Sequence, residues 1–291
     1  MSDKRLIIID SNALLHRAFH ALPPLTNKNG QPTGAVYGFL LTLFKAIKDL
    51  NATHIVATFD TPKPTFRHEK FKEYKAHRIK TPDGIVSQIG VMKEVLKSFN
   101  IPVFEREGFE ADDLIATISE KSKDETEVFI LSGDLDNLQL VDEKIKVYTL
   151  GKGIKDSVLY DSQKVVERFG VSPEQMNDFK ALTGDASDNV PGVPGIGKTT
   201  AAQLIQEYGN IENLYSELST DTAVLKPKVK ESLKSNKENA FLSLELVQTK
   251  KDVDLDFNLD LCKFGNFSQA KVKDIFNELG FNSLIDRLSN F

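Results

Sequence analysis

Three times along this chain a run of apolar, largely β-branched residues stops at an aspartate. Leu6-Ile-Ile-Ile9 runs into Asp10, His54-Ile-Val-Ala-Thr-Phe59 into Asp60, and Val128-Phe-Ile-Leu131 into Ser132-Gly-Asp134-Leu-Asp136. A continuous apolar run suits a strand buried on both faces of a parallel sheet. Helical patterns separate the runs: Leu14, Leu15, Ala18 and Phe19 behind a Ser11-Asn12 cap; Val36, Phe39, Leu40, Leu43, Phe44 and Ile47 within Gly34 to Leu50; and Ile85, Ile89, Met92, Leu96 and Phe99. Shorter strands are expected at Ile101 to Phe104, Lys146 to Leu150 and Ser157 to Tyr160. The expected fold class is α/β, a mainly parallel central sheet flanked by helices.

In such a sheet, ligands bind beyond the carboxyl ends of the strands. Asp10, Asp60, Asp134 and Asp136 sit at those ends, and Glu110, Asp112 and Asp113 open the helix after the third strand. Any one of them alone reads as a turn or cap residue. Four strand ends with the same feature point instead to a shared cluster, in which like charges raise one another's pKa. Hard divalent cations relieve that repulsion, and oxygen-only donors suit Mg²⁺ or Mn²⁺. Two such ions activate a water and stabilise the leaving oxygen of a phosphodiester. The single cysteine, Cys262, excludes an internal disulfide, and five scattered histidines without Cys/His spacing argue against zinc. No Ser/His/Asp or Cys/His nucleophile set is evident.

Two more carboxylates, Asp185 and Asp188, lie beside the turn Gly195-Ile-Gly197. The segment Gly192 to Thr199 satisfies the Gly-x-x-x-x-Gly-Lys-Ser/Thr string of a nucleotide-binding P-loop. Such a loop should leave a buried strand, whereas Gly184 to Pro191 is polar and turn-forming, and Pro194 lacks an N–H that the phosphate cradle would use. A helix-hairpin-helix at 190–205 is the better reading. Its glycines allow close approach to a phosphate, and the helix N-terminus favours the negative charge.

The net charge of −5 does not favour a nucleic-acid partner, but the charge is segregated. Seven Lys/Arg fall between Lys63 and Lys80 against Glu69 and Glu73, with Arg67, Phe71, Tyr74 and Arg78 at helical spacing from Thr65 to Ile79. Cations interleaved with aromatics suit unpaired nucleic acid, although a solvated amphipathic helix explains the same run. Ser172-Pro-Glu-Gln175 has the form of a capping box and places a domain boundary near Gly170. The division is an α/β core over 1–170, with an arch or clamp around 65–85, and a helical region over 171–291. The N-terminal apolar run is too short for a signal peptide or a membrane span, so a cytoplasmic protein without membrane contact is expected.

Taken together, Ile-Asp10-Ser-Asn with Arg17-Ala-Phe, Phe59-Asp60, Phe71-Lys-Glu-Tyr74-Lys75-Ala-His-Arg78, Glu110-Ala-Asp112-Asp113, Ser-Gly-Asp134-Leu-Asp136 and Gly184-Asp185-Ala-Ser-Asp188-Asn-Val-Pro-Gly carry a resemblance. The chain resembles the bacterial 5′-nuclease (flap endonuclease) family, notably the 5′→3′ exonuclease domains joined to bacterial polymerases, over essentially its whole length. The resemblance implies a PIN-like nuclease core that acts as a 5′→3′ exonuclease and flap endonuclease on flapped, branched or nicked DNA. It would leave 5′-phosphate ends in primer removal and repair, with a DNA polymerase as partner in cis or in trans. All nine carboxylates (Asp10, Asp60, Glu110, Asp112, Asp113, Asp134, Asp136, Asp185 and Asp188) are implied to ligate metal, some through water. Lys75 and Arg78 are implied to reach the scissile phosphate, Tyr74 to stack on DNA, and Arg17 to contact phosphate. Gly195, Gly197, Lys198 and Thr199 would hold the duplex, with a K⁺ ion at the hairpin. Leu135 stands where these nucleases often carry Lys, and Asn137 where a hydrophobic residue is usual. The competing readings are a homologue that only binds branched DNA, which the complete carboxylate set disfavours, and an RNA-cutting relative, a class that generally lacks the arch and the hairpin.

Overall fold

The computed structural model describes residues 4–151 and 156–291, the Asn290 side chain excepted. The first half builds the sheet and its cover: β1 (Arg5–Asp10), α1 (Ser11–Ala21), α2 (Gly34–Leu50), β2 (His54–Thr58), α3 (Phe66–Lys70), α4 (Asp83–Ser98), β3 (Val103–Phe104), α5 (Ala111–Ser122), β4 (Glu127–Leu131), β5 (Ile145–Leu150), β6 (Ser157–Tyr160) and α6 (Ser162–Phe169). The strands lie in the order β3-β2-β1-β4-β5-β6, all parallel except β6, which runs antiparallel to β5. The register sets Asp10 against Thr58, Ile9 against Leu131 and Thr58 against Phe104. The carboxyl ends of four strands therefore finish at one level, and the acids that follow them share one edge.

Successive side chains of a strand face opposite ways, and β1 shows the result. Leu6 and Ile8 join Val56, Val128 and Ile130 under α5, while Ile7 and Ile9 join Ile55, Phe129 and Leu131 under α2 and α4. Leu6 to Ile9 are fully buried, as the continuous apolar run requires.

The capping box forms at Ser172 and Gln175, and helices follow: α7 (Met176–Thr183), α8 (Lys198–Tyr208), α9 (Ile211–Ser219), α10 (Pro227–Ser235), α11 (Lys237–Val247), α12 (Gln269–Leu279) and α13 (Asn282–Ile285). Leu182, Val193, Ile196, Leu204 and Ile205 extend the core on the α5 face. The last two helices do not stay with this layer. Val272, Phe276 and Leu284 cross to the opposite face and join α2 and α4 around Phe99, whose ring meets Phe267 and Phe276. Residues 171–291 are thus helical but feed both layers, because the apolar stripe of α12 complements an aromatic cluster on the α/β side.

Two expectations fail locally. The helical spacing read from Thr65 to Ile79 is realised only as α3; the chain then proceeds by turns through Arg78, with Lys75 in the left-handed region at φ 56°. Tertiary bonds take the backbone away from a helix: the Lys75 N–H donates to the Asp188 carbonyl at 2.9 Å, and the Asn189 amide donates to the Glu73 carbonyl at 2.7 Å. The residue that caps α1 is Asp10 rather than Ser11 or Asn12, its carboxylate accepting from Ala13 N at 3.1 Å. No helix among the described residues is long and apolar enough to cross a membrane.

Candidate active site

The strand-end acids are built into one hydrogen-bonded edge. Ser132 Oγ donates to Asp10 at 2.6 Å and accepts from Asp134 N at 2.9 Å, and Asp134 in turn accepts from Asp136 N at 3.0 Å. Asn12 accepts from Asp60 N at 3.1 Å, while Asp60 accepts from Ala111 N at 2.7 Å and fixes the start of α5. An open cavity of about 690 Å³ is walled by Asp10, Asp60, Glu110, Asp112, Asp134, Asp136 and Asp188, with Lys75 and Arg78 beside them. Asp185 lines an adjoining small pocket with Asp112, Asp136 and Asp188. Burial, with repulsion from Asp60 and Asp134, pushes Asp10 up to about 7 against the hydrogen bonds from Ser132 and Ala13. Burial and Asp134 likewise push Asp136 up to about 7 although Lys180 opposes them. Burial and then Asp10, Asp134 and Asp136 drive Asp112 well above the carboxylate range.

Internal cations answer part of this charge. Lys75 Nζ lies 2.7 Å from Glu110 and 3.7 Å from Asp188; Arg78 Nε donates to Asp188 at 3.0 Å and its Nη2 binds the same oxygen. Lys180 is ion-paired with Asp136 and lies 3.4 Å from Asp185. Burial works against the charge on Lys75 and Lys180, yet Glu110 and Asp188 in one case and Asp136 in the other outweigh it and raise both. Burial would also raise Asp185, but the Ser187 hydroxyl and Lys180 hold it below its ordinary value. Among the described residues no group of three His, Cys, Asp or Glu side chains is placed to hold a metal ion.

Two of the expected site residues take other roles. Asp113 is fully buried, and both its oxygens are engaged: Arg67 binds it bidentately at 2.8 and 2.9 Å, and the amides of Glu110 and Lys250 donate at 3.0 and 2.8 Å. It is a structural anion and not a free metal ligand. Tyr74 is only 4% exposed, packed with Val190 and Leu246, and its hydroxyl donates to Glu110 and Asp188 at 3.2 and 3.3 Å. In this arrangement its ring is closed to stacking on DNA, and it holds the acids instead. Sequence reasoning missed Arg67 as a structural cation, although it was visible in the basic run. It also missed Lys180 and Asn137, whose roles depend on contacts across 44 and 25 residues.

The hairpin keeps its expected character. A helix, α7, stands where a P-loop would need a strand, and Gly192 is spent on packing, since an added Cβ would meet Gly184 N at 2.4 Å. Val193 and Ile196 anchor the turn in the core, while Gly195 takes φ 79° and Gly197, Lys198 and Thr199 are exposed. Among the described residues no side chain caps α8, whose first-turn amides have no partner within the helix. Arg17 packs beside Gly133, and its guanidinium donates to the Gly151 carbonyl.

The chemistry of the donors, rather than their present spacing, suits a divalent cation. Every candidate ligand is a carboxylate oxygen, and three acids are held in positions that penalise their charge, a penalty that a dication removes. The raised values give a signed prediction. A carboxyl whose folded pKa exceeds its unfolded value stabilises fully at low pH and loses that contribution as pH rises through the folded pKa. Without divalent ions, melting temperature should therefore fall between about pH 4 and 7 as Asp10 and Asp136 ionise, and added Mg²⁺ should restore it at the upper end. A flat profile across that window, unaffected by Mg²⁺, would contradict the electrostatic account.

Comparison with known proteins agrees with this architecture. Residues 5–170 match the family model described as 5'-3' exonuclease, N-terminal resolvase-like domain, and residues 171–270 that described as 5'-3' exonuclease, C-terminal SAM fold. DNA polymerase I of Bacillus subtilis (strain 168) is 41% identical over 286 residues, 98% of this chain and 32% of that protein. DNA polymerase I of Mycobacterium tuberculosis (strain ATCC 25618 / H37Rv) is 39% identical over 286 residues, 97% of this chain and 31% of that one. The chain thus spans about a third of the length of these curated relatives. In fold it resembles T5 5'-exonuclease with divalent zinc ions bound, at TM-score 0.70 and 24% identity, covering 95% of this chain and 100% of that one. It also resembles the catalytic core of Rad2 in complex with DNA substrate, at TM-score 0.64 and 19% identity, covering 96% and 88%. On the two family models and these relatives, the chain belongs to the 5'-3' exonuclease family of nucleases.

Proposed function

We propose that this chain is a divalent-metal-dependent 5′→3′ exonuclease and structure-specific 5′-flap endonuclease on DNA, leaving 5′-phosphate ends and serving primer removal and repair. The observation that carries the reading is one cavity that gathers Asp10, Asp60, Glu110, Asp112, Asp134 and Asp136 from four strand ends with Asp188 from the α7–α8 loop, and has Lys75 and Arg78 at its wall. Asp10, Asp60, Glu110, Asp112, Asp134, Asp136, Asp185 and Asp188 would hold Mg²⁺, or Mn²⁺ in its place. Bound there, the ions supply a lowered water pKa and charge for the leaving oxygen.

The chain's own residues bind and orient the substrate. Lys75 and Arg78 sit on the turn segment after α3 and present two cations to a phosphate entering beside Glu110 and Asp188. Arg17, which packs beside Gly133 next to Asp134, would offer a third phosphate contact. The first-turn amides of α8, with Gly195, Gly197, Lys198 and Thr199, hold the duplex backbone, where a K⁺ ion would complete the phosphate grip. A DNA polymerase, in cis or in trans, is the fitting partner for an enzyme that removes the strand ahead of synthesis.

Matched DNA and RNA flaps incubated with Mg²⁺ or with EDTA test substrate class and metal need together. Cutting of the DNA flap in Mg²⁺ alone is expected; preferential cutting of the RNA flap would favour the RNA-cutting alternative. A salt titration checks the hairpin. Lys198→Ala should weaken duplex binding and reduce the slope of log K against log salt by about 1, leaving turnover on bound substrate unchanged. An unaltered slope would remove Lys198 from the duplex contact.

A further inference from the structure

Each acid of the edge has a recognisable partner, and the partner of Asp112 is the unusual one. Glu110 is held by Lys75 and Tyr74, Asp136 and Asp185 by Lys180, Asp188 by Arg78, and Asp10 by Ser132 and a backbone amide. Among the described residues Asp112 has neither a cation nor a hydroxyl as partner. Among the described residues its hydrogen-bond donor is the amide of Asn137, with Nδ2 3.0 Å from Oδ1.

Asn137 occupies an awkward place for an amide. It lies in a short 3-10 helix, Asp136–Leu140, between Asp136 and the core residue Leu138, and its side chain is fully buried. The Oδ1 atom has no hydrogen-bond partner among the described residues. The amide gives its nitrogen to Asp112, and its oxygen then faces the core with no protein donor among the described residues. A buried carbonyl without a partner destabilises a fold, and an apolar residue of the same size would avoid that cost. The amide thus commits its nitrogen to an acid crowded by Asp10, Asp134 and Asp136, and its oxygen gains no protein partner in return among the described residues.

We propose that Asn137 is a positioning residue that fixes the Asp112 carboxylate at the wall of the acidic cavity, so that Asp112 is already oriented for a divalent cation. The role rests on the metal-dependent reading above. Asn137 does not touch substrate, and it acts through the orientation of Asp112 alone. Hydrogen-bonded neighbours of metal ligands characteristically contribute a tenfold to hundredfold factor in affinity.

The test compares Asn137→Leu with the unaltered protein in two measurements: Mn²⁺ binding by calorimetry and melting temperature in EDTA. Positioning predicts that Mn²⁺ binds roughly tenfold more weakly, while the melting temperature holds or rises by a few degrees as the stranded carbonyl is removed. Cleavage should fall at low Mn²⁺ and recover as Mn²⁺ is raised. Should leucine prevent folding, Asn137→Ser removes the amide without adding volume and is read the same way. Unchanged Mn²⁺ affinity in a folded variant overturns the proposal. So does an affinity loss matched by a large drop in melting temperature, which would mark Asn137 as merely structural. Failure of the unaltered protein to bind Mn²⁺ would instead count against the metal-dependent reading, so the two failures are distinguishable.

Discussion

Arg67→Ala is expected to cost the fold about 3–5 kcal/mol, the penalty for leaving a buried charge unpaired. Arg67 is 2% exposed and Asp113 fully buried, and the guanidinium makes four hydrogen bonds: two to Asp113 and one each to the carbonyls of Leu246 and Gln248, at 2.8 and 3.0 Å. The substitution strands not only the anion but also those two carbonyls, and it unties α3 from α5, from the end of α11 and from the residue that follows it. Asp113 also accepts the Glu110 amide, so the start of α5, where Glu110 and Asp112 are presented, should loosen with it. Arg67→Lys keeps the charge but cannot reproduce the planar fork, and should fall between the two. Urea denaturation in EDTA measures the effect without metal linkage. A loss under about 1 kcal/mol for Arg67→Ala would show that the pair is not buried as described.

Lys75→Met should reduce cleavage turnover by about 10²- to 10³-fold, the scale for removing one preorganised charge from a reacting group. The same change should leave Mn²⁺ affinity intact or tighten it, because Lys75 Nζ competes for Glu110 and Asp188. Duplex affinity should change little, since one phosphate contact among several is lost. Single-turnover kinetics and Mn²⁺ calorimetry together decide the point. Loss of duplex affinity with unaltered turnover would move Lys75 from the reacting phosphate to general substrate binding.

The sheet was legible in the sequence because a strand buried on both faces leaves an uninterrupted apolar run, and Leu6 to Ile9 and Val128 to Leu131 are such runs. The convergence of the acids followed from the same reading: parallel strands share a carboxyl edge, so Asp10, Asp60 and Asp134 had to meet. Short-range geometry was equally accessible at Ser172-Pro-Glu-Gln175 and at Gly195-Ile-Gly197, where capping and turn chemistry are local. What the sequence hid is long-range. Asp112 and Asp113 are neighbours in sequence, but one faces the cavity and the other an arginine on α3, a distinction set by side-chain direction at a helix N-terminus. The segment after Lys70 has a helical pattern and makes turns instead, because the 185–190 loop takes up its backbone bonds. Tyr74 looked like a stacking ring among cations; only its contacts with Val190, Leu246, Glu110 and Asp188 reveal a buried residue.

The most direct test of the central claim, that the shared acidic edge is a metal-dependent DNA-cutting centre, is cleavage of an end-labelled 5′-flapped DNA duplex with the product mapped to the nucleotide. The account predicts a cut near the junction that leaves a 5′-phosphate, in Mg²⁺ or Mn²⁺ and not in EDTA. An intact flap in either ion, or equal cutting in EDTA, would contradict it.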